Sequence, residues 1–161
     1  MNSGKTIAES RVTLSALMGP QDANVLGNVH GGVIMKLVDE AGALAAMRHA
    51  RCPVVTVAID SMTFLEPIYL GHMVSCQAEL TYAGHTAMEV RIAVIAENPL
   101  TGQTIHTNLA YGVYVAIDLQ TRRPHPVPPL IAETEEEQRR MEAAQQRQAE
   151  RKRRRVQEDV P

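Results

Sequence analysis

Tryptophan is absent from this chain and phenylalanine occurs once. With four tyrosines, aromatics make up 3% of 161 residues. Aliphatic and methionine side chains must therefore fill the core. Cysteine is nearly absent as well: Cys52 and Cys76 stand far apart, without CxxC spacing. They read as two free thiols in a reducing cytosol, not as a disulfide framework. No apolar run approaches the ~20 residues that span a bilayer, and the N-terminus has no signal-peptide pattern. The expected location is the cytoplasm, with no membrane partner. The net charge is only -2, so no bulk field draws nucleic acid or an acidic surface. The six histidines (30, 49, 72, 85, 106 and 125) show no HxxxH spacing, and no metal is expected. No GxxxxGK loop, nucleophile-elbow serine or cysteine, or internal repeat is present.

What the chain does have is enough length for one domain and one core. Arg11–Leu17 alternates apolar and polar residues, which predicts a first strand. Met18–Asn28 is rich in Gly, Pro, Asp and Asn and reads as a loop. Val29–Arg48 reads as a long helix. Ile34, Leu37, Val38, Ala41, Leu44 and Ala45 fall on one face, and Met35, Gly42, Ala43 and Ala46 line the side that holds Asp39. A helix so apolar around its circumference is expected to be buried on nearly all sides, with a partner subunit against its small-residue side.

Strand signals follow over Val54–Ser61, Met73–Tyr82, Ala87–Glu97 and Thr104–Ile117. Hairpin turns are expected at Ala83–Thr86 and Asn98–Gly102. In the last strand Leu109, Tyr111, Val113 and Val115 share a face. One helix against five antiparallel strands predicts an α+β layer in which the sheet curls around the helix.

Residues 121–132 form a Pro-rich exit. Residues 133–161 form a charged tail with eight acidic and eight basic residues. That tail looks helical but lacks an apolar stripe. Glu135/Arg139, Glu136/Arg140 and Glu150/Arg154 fall at i,i+4, pairs worth only about 0.3–0.5 kcal/mol each. A solvated, partly frayed helix is the expectation; the alternative is that Arg151–Arg155 touches a phosphate or a neighbouring subunit.

The stretch from Asn24 to Asp39 carries the chemistry. A polar loop with Asn24 and Asn28 leads through His30 to Gly31 and Gly32, which open the helix. The first amides of a helix have no intrahelical partner, and they face an incoming oxygen with a favourable dipole. Glycines let a ligand approach closely, as in an oxyanion hole. The competing reading is that the glycines only pack the helix tightly on the sheet. Asp39 lies ~10 Å further along the axis at 1.5 Å per residue. That is too far for both ends to touch one carbonyl within one chain, so any cooperation must cross a dimer. A buried unpaired carboxylate is costly, which points to a general base or nucleophile; a capped structural acid is the other reading. Asn24 serves as an amide donor or as a turn residue. His30 is a ligand contact or an ordinary helix-start residue.

These residues resemble a known family. Asp22-Ala23-Asn24, Gly27 to Gly32, Met35, Asp39 and Gly42 look like the signature of hotdog-fold acyl-CoA thioesterases, the YciA-type and brain acyl-CoA hydrolase group in particular. Ser61–Leu65 with Pro67, Gly84–Met88, and Pro128–Leu130 followed by Thr134–Glu137 are similar to further segments of that group. The likeness implies a hotdog domain over residues 8–120, a curled five-stranded sheet around one central helix. It implies a homodimer at the least, assembled into a hexamer as a trimer of dimers.

It also implies hydrolysis of fatty acyl-CoA to a free acid and CoA, with coenzyme A as part of substrate and product and no separate cofactor. Asn24 of one subunit and Asp39 of the other fall on the active-site positions. Amides near His30, Gly31 and Gly32 would hold the thioester oxygen. Thr63 and the turn Gly84, His85, Thr86, Ala87 and Met88 would follow the CoA. Ala87 departs from the serine common at that place. Two alternatives stand beside this reading: a hotdog hydratase-dehydratase using His30 with Asp39, and a non-catalytic CoA-binding module.

Overall fold

The computed structural model describes residues 3–60 and 62–158. Ser61 and residues 159–161 of the tail therefore lie outside the described residues. The chain runs β1 (Lys5–Thr6), α1 (Ile7–Ser10), β2 (Val12–Leu17), α2 (Gly31–Ala50), β3 (Val54–Asp60), β4 (Met73–Ala83), β5 (Ala87–Glu97), β6 (Thr104–Ala116), β7 (Leu130–Ile131) and α3 (Glu135–Gln157). Five strands form one antiparallel sheet in the order β2-β4-β5-β6-β3. The two short strands β1 and β7 pair in parallel beside it. Neither β1 nor α1 is marked by the hydrophobic pattern; a Thr6–Glu9 capping box sets the start of α1.

The long helix α2 starts two residues later than its apolar pattern suggests. Val29 is held in a bridge to Ala23 and donates its amide to Ile68. His30 becomes the cap, its Nδ1 accepting from the Gly32 amide at 2.9 Å. At the other end the helix runs on to Ala50 and stops at Arg51, which takes the left-handed conformation with φ 58°.

The core lies between α2 and the inner face of the sheet. Ile34, Val38, Ala41, Ala45 and Ala46 pack there against Val74, Leu80, Val90, Ile92 and Tyr114. Leu109, Tyr111, Val113 and Val115 do share a face, but it is the face away from α2: their neighbours Ala110, Gly112, Tyr114 and Ala116 are buried toward the helix. Within one chain α2 keeps Met35 and Leu44 exposed, Met35 on the side where a partner subunit is expected.

The tail helix departs most from expectation. It is docked on the outer face of the sheet through charge rather than solvated. Glu89 on β5 is fully buried. It accepts from Thr81 Oγ1 at 2.6 Å and pairs with Arg147 at 2.7 Å and Arg151 at 2.7 Å. Arg147 also lies 3.9 Å from the centre of the Tyr111 ring. Arg140 reaches Glu79 at 2.5 Å, and Arg11 bridges Glu79 and Glu137 at 2.9 Å each. A Thr134–Glu137 capping box starts the helix. Of the three expected i,i+4 pairs only Glu136–Arg140 forms an ion pair among the described residues. A sequence without an apolar stripe can thus still dock, because the acids it needs sit on the strands.

Removing Glu89 takes one partner from each of two guanidinium groups and one hydroxyl, leaving Arg151 with Asp60 and Arg147 with the Tyr111 ring. Breaking a buried pair costs about 3–5 kcal/mol, and the partial exposure of Arg147 and Arg151 places Glu89→Ala near the lower end. Its denaturant midpoint should fall accordingly. An unchanged midpoint would show that the docking contributes nothing to stability.

Candidate active site

Asp39 sits on α2, half-buried, where the edge strand β3 passes over the helix. Thr56 and Tyr114 are register partners on β3 and β6, so the two side chains arrive at the carboxylate together. Thr56 Oγ1 donates to Asp39 Oδ1 at 2.7 Å, and the Tyr114 hydroxyl lies 3.3 Å from the same oxygen and 3.2 Å from the Asp39 carbonyl. Oδ2 has no partner among the described residues. Burial first, then the Asp39 charge and the hydrogen bond to it, push the Tyr114 phenol far above its ordinary value. It therefore stays protonated and donates.

Two glycines make room for that phenol. A Cβ at Gly42 would lie 2.2 Å from the Tyr114 hydroxyl, and one at Gly112 would lie 2.6 Å from its ring. Both distances are far inside contact, so this strand-to-helix approach requires glycine on either side. Neither Thr56 nor Tyr114 is singled out by sequence reasoning. The signal is a polar residue in an otherwise apolar run on β3, but only the β3–β6 register shows which way it faces.

Asn24 lies in the loop before α2. Its Oδ1 accepts from the amides of Leu26 at 2.9 Å and Asn28 at 3.1 Å. The turn reading of Asn24 is thus right as far as it goes. Because the oxygen is used, the amide nitrogen is left aimed away, without a partner among the described residues, so the two readings are compatible. Asn28 serves the loop through its backbone, exchanging with Asn24 and bridging Tyr69. At the loop tip Val25 and Leu26 are almost wholly exposed, an apolar pair that nothing among the described residues covers.

At the start of α2 the donors are fewer than expected. Gly32 gives its amide to His30 Nδ1, and Val33 donates to the His30 carbonyl. The His30 amide is taken by Asp22 O at 2.7 Å. Gly31 is left as the one early amide without a partner among the described residues. His30 is a cap and makes no hydrogen bond to Asp39. No hydrogen bond joins Asn24 to Asp39 either.

The residues expected along CoA divide into separate places. Thr63 is exposed and lines a cleft of about 510 Å³ with Leu65, Arg91, His106, Asn108 and Tyr111. Its carbonyl accepts from the Asn108 side chain. Ala87 lines a different cleft, of about 430 Å³, against α3. Gly84, His85 and Thr86 form the turn itself: Gly84 donates to Ala87 O, while His85 O and Thr86 O accept from Val127 and Ala116. Met88 departs from the expected CoA path. Its side chain is fully buried in the core and reaches no ligand surface, because strand alternation turns it inward beside Ala87.

Neither thiol competes as a nucleophile. Burial pushes Cys76 up to about 12, burial raises Cys52 as well, and both are free. Among the described residues no group of three or more His, Cys, Asp or Glu side chains is placed to hold a metal. Among the described residues no helix is long and apolar enough to cross a membrane.

Comparison with known proteins agrees on one family. A family model described as the thioesterase superfamily matches residues 26–103. The cytosolic acyl coenzyme A thioester hydrolase of Mus musculus is 38% identical over 132 residues, 78% of this chain and 35% of the mouse protein. The chain thus spans about a third of the length of the mammalian relatives it matches. The acyl-CoA thioester hydrolase YciA of Salmonella typhimurium is 35% identical, covering 74% of this chain and 92% of the relative.

Among solved structures, an acyl-CoA hydrolase from Staphylococcus aureus in complex with butyryl coenzyme A, coenzyme A and coenzyme A disulfide superposes with a TM-score of 0.86 at 33% identity, covering 95% and 93% of the two chains. A hexameric acyl-CoA thioesterase superposes with a TM-score of 0.89 at 37% identity, covering 94% and 97%. The S. aureus enzyme is also solved with alanine in place of an aspartate, an asparagine and a threonine.

Proposed function

Because the chain belongs to the thioesterase superfamily, we propose that it hydrolyses fatty acyl-CoA to a free fatty acid and CoA. One observation carries this reading. Asp39 is a half-buried carboxylate gripped on one oxygen by Thr56 and Tyr114, and its other oxygen has no partner among the described residues. A structural acid would have both oxygens engaged; one held and one free is the posture of a base or nucleophile. The S. aureus relative supports it. The asparagine, aspartate and threonine replaced there are separated along the sequence as Asn24, Asp39 and Thr56 are here.

The proposed site is shared between two subunits. Asn24 Nδ2 and the Gly31 amide of one subunit polarise the thioester carbonyl. Asp39 of the other either draws the proton from an attacking water or adds directly to the carbonyl carbon. On the first route water adds, the C–S bond breaks, the acyl group leaves as the carboxylic acid, and the proton held by Asp39 goes to the CoA thiolate. On the second the C–S bond breaks to leave an acyl–Asp39 anhydride, which water then cleaves to the carboxylic acid and the free Asp39 carboxylate, the remaining proton going to the CoA thiolate. Water is the only co-reactant.

The edge strand β3 supports a dimer with one continuous sheet, since Val55 and Val57 are exposed on an unpaired strand. The uncovered Val25, Leu26, Met35 and Leu44 add apolar area for a partner. Relatives described as hexameric make a trimer of dimers the proposed full assembly. Residues 8–120 carry the chemistry in this reading, and the cytoplasm is the proposed location.

The direct test is thiol release from acyl-CoA substrates of increasing chain length by the purified protein. Release at one or more lengths is expected. No release at any length, or loss of an enoyl-CoA chromophore without thiol release, would contradict the proposal. The hydratase alternative gains nothing from the structure, because His30 is used as a helix cap.

The grip on Asp39 makes its own prediction. Tyr114→Phe removes one long hydrogen bond to a charged group and little volume. The kcat should fall ~3–10-fold with KM for acyl-CoA unchanged, because the phenol touches the acid and not the substrate. A raised KM at unaltered kcat would show that Tyr114 shapes the pocket instead.

A further inference from the structure

The edge strand β3 carries two polar residues with different partners. Thr56 donates to Asp39 on the helix side of the sheet, while Asp60 is held by Arg151 of α3 on the outer side. The two are four residues apart, and in a regular strand an even separation puts both side chains on one face. A bulge changes that. Thr56 pairs with Tyr114 and Ala58 with the adjacent Val113, so Val57 is an extra residue and the alternation shifts by one. Thr56 therefore faces α2, and Asp60, opposite Tyr111, faces α3.

The bulge has a cost. Among the described residues β3 has β6 as its one neighbour in the sheet, and the bulge interrupts that ladder next to Thr56. The tail helix supplies a second hold. Arg147 and Arg151 stand one helical turn apart and span three strands. Both pair with Glu89 on β5 at 2.7 Å. Arg147 lies 3.9 Å from the centre of the Tyr111 ring on β6, and Arg151 Nε donates to Asp60 on β3. Glu89 is fully buried, so the β5 end of this tie is fixed. We propose that Asp60 and Arg151 are positioning residues for catalysis: they tie β3 across β6 to β5, so that Thr56 stays on Asp39. This rests on the acyl-CoA hydrolase reading above. The tail helix then bears on the reaction although it lies on the far side of the sheet from Asp39.

The test is a double-variant cycle on the kcat for acyl-CoA, joining Asp60→Ala with Thr56→Val in the full chain. Asp60→Ala leaves Arg151 with Glu89 and Gln148, so α3 should stay docked, and a thermal melt checks the fold. Thr56→Val keeps the branched shape and removes the hydroxyl that holds Asp39. It should lower kcat ~10-fold, the scale of one hydrogen bond to a charged group. Asp60→Ala should lower kcat about fivefold, a part of that same loss, with KM unchanged. In the Thr56→Val background it should change kcat by less than about twofold, because the contact it acts through is already gone. Hydrogen exchange of the Val54–Asp60 amides should quicken in Asp60→Ala while β4 and β5 keep their protection. If the alanine variant fails its melt, Asp60→Asn, which keeps an acceptor oxygen and loses the charge, enters the same cycle with an expected loss of about threefold.

An unchanged kcat in the Asp60 variant overturns the proposal, as do losses that multiply in the double variant. A raised KM at unaltered kcat would put Asp60 on the substrate and equally overturn it. If the unsubstituted chain releases no thiol, the hydrolase reading fails instead. The exchange arm still judges the tie: β3 amides as well protected without Asp60 as with it overturn it.

Discussion

Asp39→Asn, purified and folded, should hydrolyse acyl-CoA about 10³-fold more slowly than the unsubstituted chain, within the range that general-base catalysis contributes. The asparagine is chosen for what it preserves. Its Oδ1 can still accept from Thr56 and Tyr114, which lie 2.7 and 3.3 Å from that oxygen now, so helix and strand stay in register. What it removes is the charge and the basic oxygen. The loss should therefore fall on kcat, with little change in KM and none in thermal midpoint. A rate within about threefold of the unsubstituted chain would show that Asp39 is only a structural acid, and that the free Oδ2 serves no reaction.

The architecture was legible in the sequence because most of it follows from periodicity. Alternation gives β2, β4, β5 and β6, the apolar spacing gives α2, and Gly- and Pro-rich segments give the turns. Boundaries moved where a side chain decided them: His30 capping Gly32, and Arg51 accepting a left-handed turn. The tail helix departs from its expectation for a different reason. Helical periodicity reports apolar faces, and α3 docks through Glu79, Glu89 and Asp60, acids that sit on distant strands. No local pattern could pair Glu89 with Arg147 and Arg151.

The site was legible in part. Asp39 stands out as an acid in an apolar helix, whereas Asn24, in a loop where asparagine ordinarily serves a turn, stands out only through the family resemblance. The grip of Thr56 and Tyr114 does not stand out, because it depends on the register of β3 with β6. Gly42 and Gly112 are explained only once the Tyr114 ring is in place. The oxyanion expectation narrowed from a run of amides to one, Gly31, since His30 takes the amide of Gly32 for itself. Met88 belongs to the segment that resembles the CoA path, but strand alternation next to Ala87 turns its side chain into the core.

The central claim is that Asn24 and Asp39 act on one substrate from two chains. The geometry within a chain supports it: the helix start and Asp39 are ~10 Å apart along the axis, and no hydrogen bond links Asn24 to Asp39. The claim has a direct consequence. Asn24→Ala and Asp39→Ala should each be nearly inactive alone, since every site in either homodimer lacks one partner.

Unfolding the two variants together and refolding them forms hybrids. In each hybrid one site lacks both residues, while the other takes Asn24 from one chain and Asp39 from the other and is whole. With random pairing into two-fold dimers, about a quarter of all sites should be intact. The measurement is the specific activity of that refolded mixture. The account predicts recovery to about a quarter of the unsubstituted rate. A mixture as inactive as its two components, with hybrids demonstrated by mass, would contradict it and place both residues in one chain's site.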